Sequence, residues 1–167
     1  LPRDVLPLCT HHEQQHQALL LTDLKHLLFQ NPLRPAYRAP AAQRESAGSA
    51  ASVGPVRFVP FEEGLREIGW DGAGFAFDNE GPRHRVFLEA FELADRLVTA
   101  GEFLEFVEDG GYRRPELWLS EGWDRVRSSG WRAPLYWEEF GGAWEIFTLA
   151  GPRKLDPSEP VCHVSLY

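Results

Sequence analysis

Hydrophobic residues recur at helical spacing near the start of the chain, between residues 10 and 30. Thr10 is followed three residues later by Glu13, a capping-box spacing that predicts the start of a helix at Thr10. Asn31-Pro32 predicts its end near Gln30, because proline disfavours helical backbone in the residue before it. We expect this helix to be packed on most of its circumference, because its apolar stripe is wide and contains Leu19, Leu20, Leu21, Leu24, Leu27, Leu28 and Phe29.

The hydrophobic pattern stops after this helix. Residues 32–55 are dominated by Ala, Pro, Ser, Gly and Arg, and they have too few large apolar side chains to form a core. We therefore predict a linker at residues 32–55, which separates a helical segment at residues 1–31 from a second domain at residues 56–167.

Short apolar runs interrupted by turn residues follow in the second domain and predict strands. The runs at 56–61 and 65–68 predict a hairpin, because the Glu62-Glu63-Gly64 turn separates them. The remaining strands are predicted at 85–91, at 135–137 and at 144–149, the last two joined through Gly141-Gly142.

Helical spacing returns once in this domain. Thr99 and Glu102 have capping-box spacing, and Phe103, Phe106 and Val107 form an apolar stripe behind them. The pattern predicts a short amphipathic helix that ends at Gly110-Gly111, with further helical turns at 115–118 and 120–127. The sequence thus predicts an α+β protein with a helical start and an irregular mixed domain.

Composition and charge narrow the classes of function. A hydrophobic content of 43%, with six Trp and eleven Phe, is sufficient for a packed core. The net charge of -8 disfavours nucleic acid or an anionic membrane as partner, and it favours small-molecule chemistry. Cys9 and Cys162 match neither a disulfide framework nor a zinc ribbon, and no apolar run approaches the ~20 residues of a membrane span, so we predict a cytoplasmic protein.

The two ends of the sequence predict a piece of a longer protein. No methionine occurs anywhere, including position 1, and the predicted helix begins a few residues after Leu1. The last residues, 161–167, form an apolar run without a polar tail.

The candidate chemistry lies at the start of the first helix. His12 and His16 are four residues apart, so on a helix they share one face and can bind one metal ion; we call this pair the histidine clamp and expect it to face inward. With Glu13 they match the H-E-x-x-H motif of zinc peptidases, but Leu19 and Thr22 occupy positions where one peptidase class needs glycine and histidine. The spacing alone leaves a metal site and a structural histidine pair equally open.

The segment HEQQHQALLLTDLKH resembles the last helix of the DinB-like four-helix bundle in the iron-dependent sulfoxide synthases of ergothioneine biosynthesis, which carry the pattern H-x-x-x-H-x-E. Residues 56–167 resemble the N-terminal half of the formylglycine-generating-enzyme-like domain of these enzymes, a mixed domain of C-type-lectin-like fold. The residues that carry this second resemblance are Phe77-Asp78-Asn79-Glu80, Pro82, His84, Val86, Phe91, Val98-Thr99, Glu102-Phe103, Phe106, Asp109-Gly110-Gly111-Tyr112, Trp118-Leu119, Trp123 and Pro160-Val161-Cys162-His163-Val164-Ser165.

The resemblance implies a non-haem Fe(II) enzyme. It implies that His12 and His16 are two of three histidine ligands, the third coming from an earlier bundle helix, and that Gln15 helps to bind the substrate, N-α-trimethylhistidine (hercynine). The implied reaction joins a thiol, cysteine or γ-glutamylcysteine, to hercynine with O2 and yields a sulfoxide. The implied tyrosine proton donor belongs to sequence beyond Tyr167, so the resemblance assigns no catalytic residue here and implies that this piece alone is inactive.

One position departs from the family pattern. Ala18 stands where the family has an acidic residue, which removes a side chain that could orient a histidine ligand. Two alternatives remain open: a related non-haem iron oxygenase with another substrate, and a non-catalytic binding module whose histidines are structural. His11 is turned about 100° from the clamp, and His26 lies about 15 Å along the helix from His16, so neither is expected to bind the same ion.

Overall fold

The computed structural model describes residues 5–38 and 53–167 of the chain. Within them the protein has an α+β fold, in which a long helix precedes small antiparallel sheets and two shorter helices. Part of the predicted linker, residues 39–52, lies outside the described residues. Across the described part of the chain, no helix has the length and apolarity that crossing a membrane requires.

Helix α1 spans Val5–Gln30, so its end agrees with the sequence prediction but its start does not. Thr10 is not an N-cap, because the helix already includes it and its hydroxyl donates a hydrogen bond to the carbonyl of Leu6 over 3.0 Å. The prediction that the helix is packed on most of its circumference is wrong for the described residues, because none of its residues is buried. The consecutive apolar residues Leu19, Leu20 and Leu21 point in directions about 100° apart, so a single neighbouring surface cannot cover them.

Two compact units divide the chain. The first combines α1 as far as Asp23 with Val56–Arg96, and the second combines the end of α1, from Leu24, with Leu97–Tyr167.

Two antiparallel strand pairs form the sheet structure of the first unit. Strand β1 (Phe58–Phe61) pairs with β4 (Phe91–Ala94), and β2 (Gly64–Ile68) pairs with β3 (His84–Leu88). The predicted hairpin between β1 and β2 is therefore wrong. One register continues through both pairs, since Phe61 faces Phe91 and Gly64 faces Leu88, so the chain reverses in the loop between β2 and β3.

The single strand predicted at 85–91 is also divided in two. β3 ends at Leu88 and β4 begins at Phe91, and this gap lies opposite Glu62-Glu63, which separates β1 from β2. Next to this gap the rings of Phe61 in β1 and Phe91 in β4 stack, with centroids 4.8 Å apart.

The helices of the second unit agree with the sequence pattern. Helix α2 spans Ala100–Glu108, and the predicted capping box is confirmed: the Thr99 hydroxyl accepts a hydrogen bond from the Glu102 amide over 3.2 Å. In return the Glu102 carboxylate accepts one from the Thr99 amide over 2.9 Å. The helical turns predicted at 115–118 and 120–127 are confirmed as a 3₁₀ turn at Pro115–Leu117 and as helix α3, Ser120–Ser129. A 3₁₀ turn that the sequence did not predict, Gly111–Arg113, precedes them.

A three-stranded antiparallel sheet completes the second unit. It consists of β5 (Trp137–Phe140), β6 (Ala143–Thr148) and β7 (Gly151–Lys154) in that order. The predicted Gly141-Gly142 turn is confirmed, and both glycines have the positive φ that such a turn favours. The sequence pattern does not predict β7, because Gly-Pro-Arg-Lys lacks the apolar alternation of a strand, as edge strands often do.

The buried apolar side chains among the described residues all belong to the second unit: Ala100, Tyr112, Val126, Tyr136, Trp137 and Phe147. They come from α2, the 3₁₀ turn Gly111–Arg113, α3, the turn before β5, and strands β5 and β6, so the core of this unit joins its helices to its sheet.

Candidate metal centre

The histidine clamp lies on one side of α1. The Nε2 atoms of His12 and His16 are 3.2 Å apart, and their rings meet edge to face with centroids separated by 4.4 Å. Helical geometry from Val5 onward produces this approach, because residues four apart stand one above the other. The prediction that the clamp faces inward is wrong for the described residues, because the His12 side chain is 62% exposed and His16 is also exposed.

The distance between the ring nitrogens suits metal binding. Imidazole nitrogens bind a metal such as zinc at about 2.0–2.1 Å, and two adjacent ligands at such distances stand about 3 Å apart. The 3.2 Å between the Nε2 atoms of His12 and His16 is close to this value. A hydrogen bond from one ring N–H to the other ring also accounts for the distance, with the proton position set by the tautomer.

The described residues supply two donors and not a complete site. Within residues 5–38 and 53–167, no group of three or more His, Cys, Asp or Glu side chains could hold a metal ion. Neutral imidazoles are ligands that Fe(II) accepts, so the donor chemistry fits the implied metal while the number of donors does not fill its coordination sphere.

The other predicted site residues lie on the same exposed stretch of α1. Gln15 immediately precedes His16, and its side chain is exposed. Ala18 provides a backbone carbonyl that accepts a hydrogen bond from the Thr22 hydroxyl, and it has no side chain that could orient a ligand. Glu13 brings a carboxylate oxygen to 4.0 Å from Nδ1 of His12, which is beyond hydrogen-bond distance.

His11 has ring contacts that the sequence did not predict. Its ring stacks on Phe75, with centroids 4.4 Å apart and planes 21° from parallel, and it meets Phe77 edge-on at 6.0 Å. Both phenylalanines belong to residues 69–82, which we call the aromatic loop. Two phenylalanines in a glycine-rich loop indicate that the loop packs on another part of the chain, but the sequence does not identify the residue that they contact.

A second cluster, in the second unit, surrounds the buried ring of Tyr136. The Lys25 ammonium lies 3.9 Å from the ring centroid, His26 Nδ1 is 3.3 Å from the tyrosine hydroxyl, and the His163 ring meets the tyrosine ring edge-on at 4.9 Å. Burial lowers the pKa of Lys25, and burial together with the Lys25 charge lowers the pKa of His163. His26 thus contacts Tyr136, a partner that the sequence did not predict.

An aromatic pocket of about 380 Å³ also lies within the second unit. Phe103 and Phe106 of α2, Tyr112, Trp118 and Trp131 contribute to its walls. Burial raises the pKa of Tyr112 to about 12, so its phenol stays neutral at physiological pH. The Trp118 indole donates a hydrogen bond to the Gly111 carbonyl over 2.8 Å, which fixes the orientation of this ring in the pocket wall.

Comparisons with known proteins agree with the resemblance in the sequence. The chain is 30% identical over 158 residues to the hercynine oxygenase of Mycolicibacterium smegmatis, an alignment that covers 93% of this chain and 34% of the relative. It is 33% identical over 174 aligned positions to the hercynine oxygenase of Mycobacterium tuberculosis, which covers 100% of this chain and 38% of the relative. The chain therefore spans about a third of the length of the curated relatives that it matches.

The family comparison covers most of the chain. Residues 45–167 match the family described as the sulfatase-modifying factor enzyme 1-like domain. This confirms the predicted resemblance to the formylglycine-generating-enzyme-like domain. Because the match extends over far more than half of the sequence, the chain belongs to the sulfatase-modifying factor enzyme 1-like domain family, in which it is related to proteins named hercynine oxygenase.

Proposed function

We propose that this chain is part of a non-haem Fe(II)-dependent sulfoxide synthase of ergothioneine biosynthesis, which joins cysteine or γ-glutamylcysteine to hercynine with O2. The observation that carries the proposal is the 3.2 Å approach of the His12 and His16 nitrogens on one side of α1. The relatives named hercynine oxygenase support the choice of substrate.

The proposal assigns α1 to the end of a DinB-like four-helix bundle. In a protein as long as these relatives, an earlier bundle helix would supply the third histidine and would cover the exposed leucines of α1. Leu19, Leu20 and Leu21 are all exposed, and this apolar surface is of the kind that neighbouring helices cover in a bundle. The domain limits that go with this proposal are those predicted from the sequence, at 31 and 56.

The two imidazoles would hold the iron and leave neighbouring coordination positions open for the reactants. Bound Fe(II) supplies the oxygen chemistry that forms the carbon–sulfur bond and oxidises the sulfur, so that thiol, imidazole C–H and O2 give the sulfoxide and water. The exposed amide of Gln15 next to His16 can both donate and accept hydrogen bonds, and it would orient the hercynine imidazole or carboxylate.

Metal uptake by the chain tests the first step of the proposal. We expect weak Fe(II) binding in anaerobic titrations of the wild-type chain, and loss of this binding in His12→Ala and in His16→Ala, because one imidazole alone cannot form the clamp. His26→Ala is the matched control: it removes an exposed histidine of the same helix, whose Nε2 lies 3.4 Å from the Gln30 amide. Retained binding in His12→Ala would contradict the assignment of the clamp.

Product formation tests the second step. A protein of the relatives' length that carries this chain should consume O2 and produce a sulfoxide from hercynine and one of the two thiols, whereas the chain alone should be inactive. Turnover of a different amine or thiol in place of hercynine would favour the related iron oxygenase. Absence of metal uptake by the longer protein would favour the non-catalytic binding module.

A further inference from the structure

His11 connects α1 to the aromatic loop within the first unit. The stack of His11 on Phe75 and the edge contact with Phe77 are the ring contacts that the described part of α1 before Asp23 makes with the rest of its unit. Phe75 and Phe77 also meet each other edge-on at 5.0 Å. The side chain that makes these contacts is adjacent in sequence to a residue of the histidine clamp.

The aromatic loop is held together by its own hydrogen bonds. The Trp70 amide donates to the Glu80 carbonyl over 2.9 Å, and the Trp70 indole donates to the Ala73 carbonyl over 2.8 Å. The Phe77 amide donates to the Glu80 carboxylate over 2.6 Å. These hydrogen bonds hold the loop backbone that carries Phe75 and Phe77, independently of the contact with His11.

The start of α1 has little else to stabilise it. It has no acidic residue in its first turn and no buried residue anywhere along its length. Helix ends with few buried contacts open more easily than the rest of a helix. The clamp and the stack both require this segment to be helical, because His12 and His16 converge only at helical spacing and His11 lies on the same turn as His12.

We propose that His11 is a positioning residue that couples the histidine clamp to the aromatic loop, so that metal binding orders the loop and the stack raises the affinity for metal. The inference rests on the proposed function, since it places a metal in the clamp. Metal binding by the clamp and the stack of His11 on Phe75 both favour the helical conformation of the first turns of α1, and this shared conformation couples them. Coupling of this kind is reciprocal, so disrupting the stack weakens metal binding by the factor by which metal binding strengthens the stack.

Fe(II) affinity measures one direction of the coupling. In anaerobic titrations, His11→Ala and Phe75→Ala should each weaken Fe(II) binding about two- to tenfold, the factor that one aromatic pair contributes. His11→Phe should keep the wild-type affinity, because phenylalanine preserves the stack but cannot bind metal. Phe87→Ala, which removes an exposed phenylalanine from β3 of the same unit, is the control and should have no effect.

Two results of these titrations would overturn the inference. Wild-type affinity in His11→Ala would show that the stack contributes nothing. An affinity in His11→Phe as low as that of His11→Ala would show that His11 acts as a ligand and not through the stack. Circular dichroism of each variant checks that helix and sheet content is retained.

Amide hydrogen exchange of residues 69–82 measures the other direction. In the wild-type chain Fe(II) should slow exchange in the aromatic loop, although the loop supplies no ligand, and in His11→Ala it should not. Without metal, the loop of His11→Ala should exchange faster than that of the wild type. If the wild type binds Fe(II) and its loop exchange does not change, the coupling is wrong and the proposed function stands. If the wild-type chain binds no Fe(II), the metal coupling fails, and metal uptake by the longer protein still tests the proposed function. The metal-free comparison then shows whether the contact of His11 with the loop exists.

Discussion

The first part of α1 and the core of the second unit use their apolar side chains in opposite ways. Leu20 of α1 is 67% exposed, whereas Phe147 of β6 is 2% exposed. The candidate ligands His12 and His16 stand on the exposed stretch of α1, whereas the buried aromatic residues belong to the second unit. In the described residues the candidate ligands therefore lie where few side chains are buried, and their removal should cost little stability.

Truncating Phe147 should have the largest effect on stability. Its ring is buried and contacts Phe29 at 5.6 Å between centroids, so Phe147→Ala removes a large side chain and leaves a cavity. We expect the free energy of unfolding of the second unit to fall by about 3–5 kcal/mol. Urea unfolding followed by tryptophan fluorescence would measure the change.

Two control variants test whether exposed side chains contribute less to stability than the buried Phe147. Phe140→Ala changes the same residue type in the neighbouring strand, where the side chain is 76% exposed, and Leu20→Ala changes an exposed leucine of α1. Both should stay within about 0.5 kcal/mol of the wild type. A loss in Leu20→Ala comparable to that in Phe147→Ala would mean that α1 stabilises the chain as much as the core does.

Removing the helix cap of α2 should have an intermediate effect. The Thr99 side chain is buried and caps the helix, so Thr99→Ala leaves the Glu102 amide without its acceptor. We expect a loss of about 1 kcal/mol in the free energy of unfolding, with Thr99→Ser, which keeps the hydroxyl, close to the wild type. Equal losses in both variants would assign the effect to the missing methyl group and not to the cap.

The sequence predicted the local elements of the second unit well, because their signals are local. The capping box at Thr99, the Gly141-Gly142 turn and the helical spacing of α3 each depend on neighbours within a few residues. The pair His12 and His16 could be predicted for the same reason, since helical spacing alone brings the two rings together.

What the sequence could not predict depends on contacts between distant residues. β1 pairs with β4, and β2 pairs with β3, in one continuous register. The Glu62-Glu63-Gly64 segment has the composition of a hairpin turn, and only the pairing of distant strands shows that the chain does not reverse there. The stack of His11 on Phe75 joins residues more than sixty positions apart. The exposure of the clamp also depends on what covers α1, and helical periodicity does not contain this information.

The smallest expected effect is a pH dependence that originates at His163. Burial, and then the charge of Lys25, lowers the pKa of His163 in the folded protein. The unfolded chain, with a histidine pKa of about 6.5, therefore binds a proton at a higher pH than the folded chain does. This group's contribution to stability is complete above about pH 6.5 and is lost as the pH falls through the lowered folded pKa.

Replacing His163 should flatten this dependence. His163→Asn suits the position because asparagine tolerates the left-handed backbone found there, where φ is 62°. In urea unfolding between pH 8 and pH 5, the wild type should lose more stability than His163→Asn. Lys25→Gln should show an intermediate profile, because it removes the charge and leaves the burial; the groups that act on Lys25 itself, Cys162 and Arg153, are unchanged in both variants. If the stability of wild type and of His163→Asn changes equally with pH, His163 has the same pKa in the folded and the unfolded chain. Water would then reach the surroundings of Tyr136 as freely as it reaches the first part of α1.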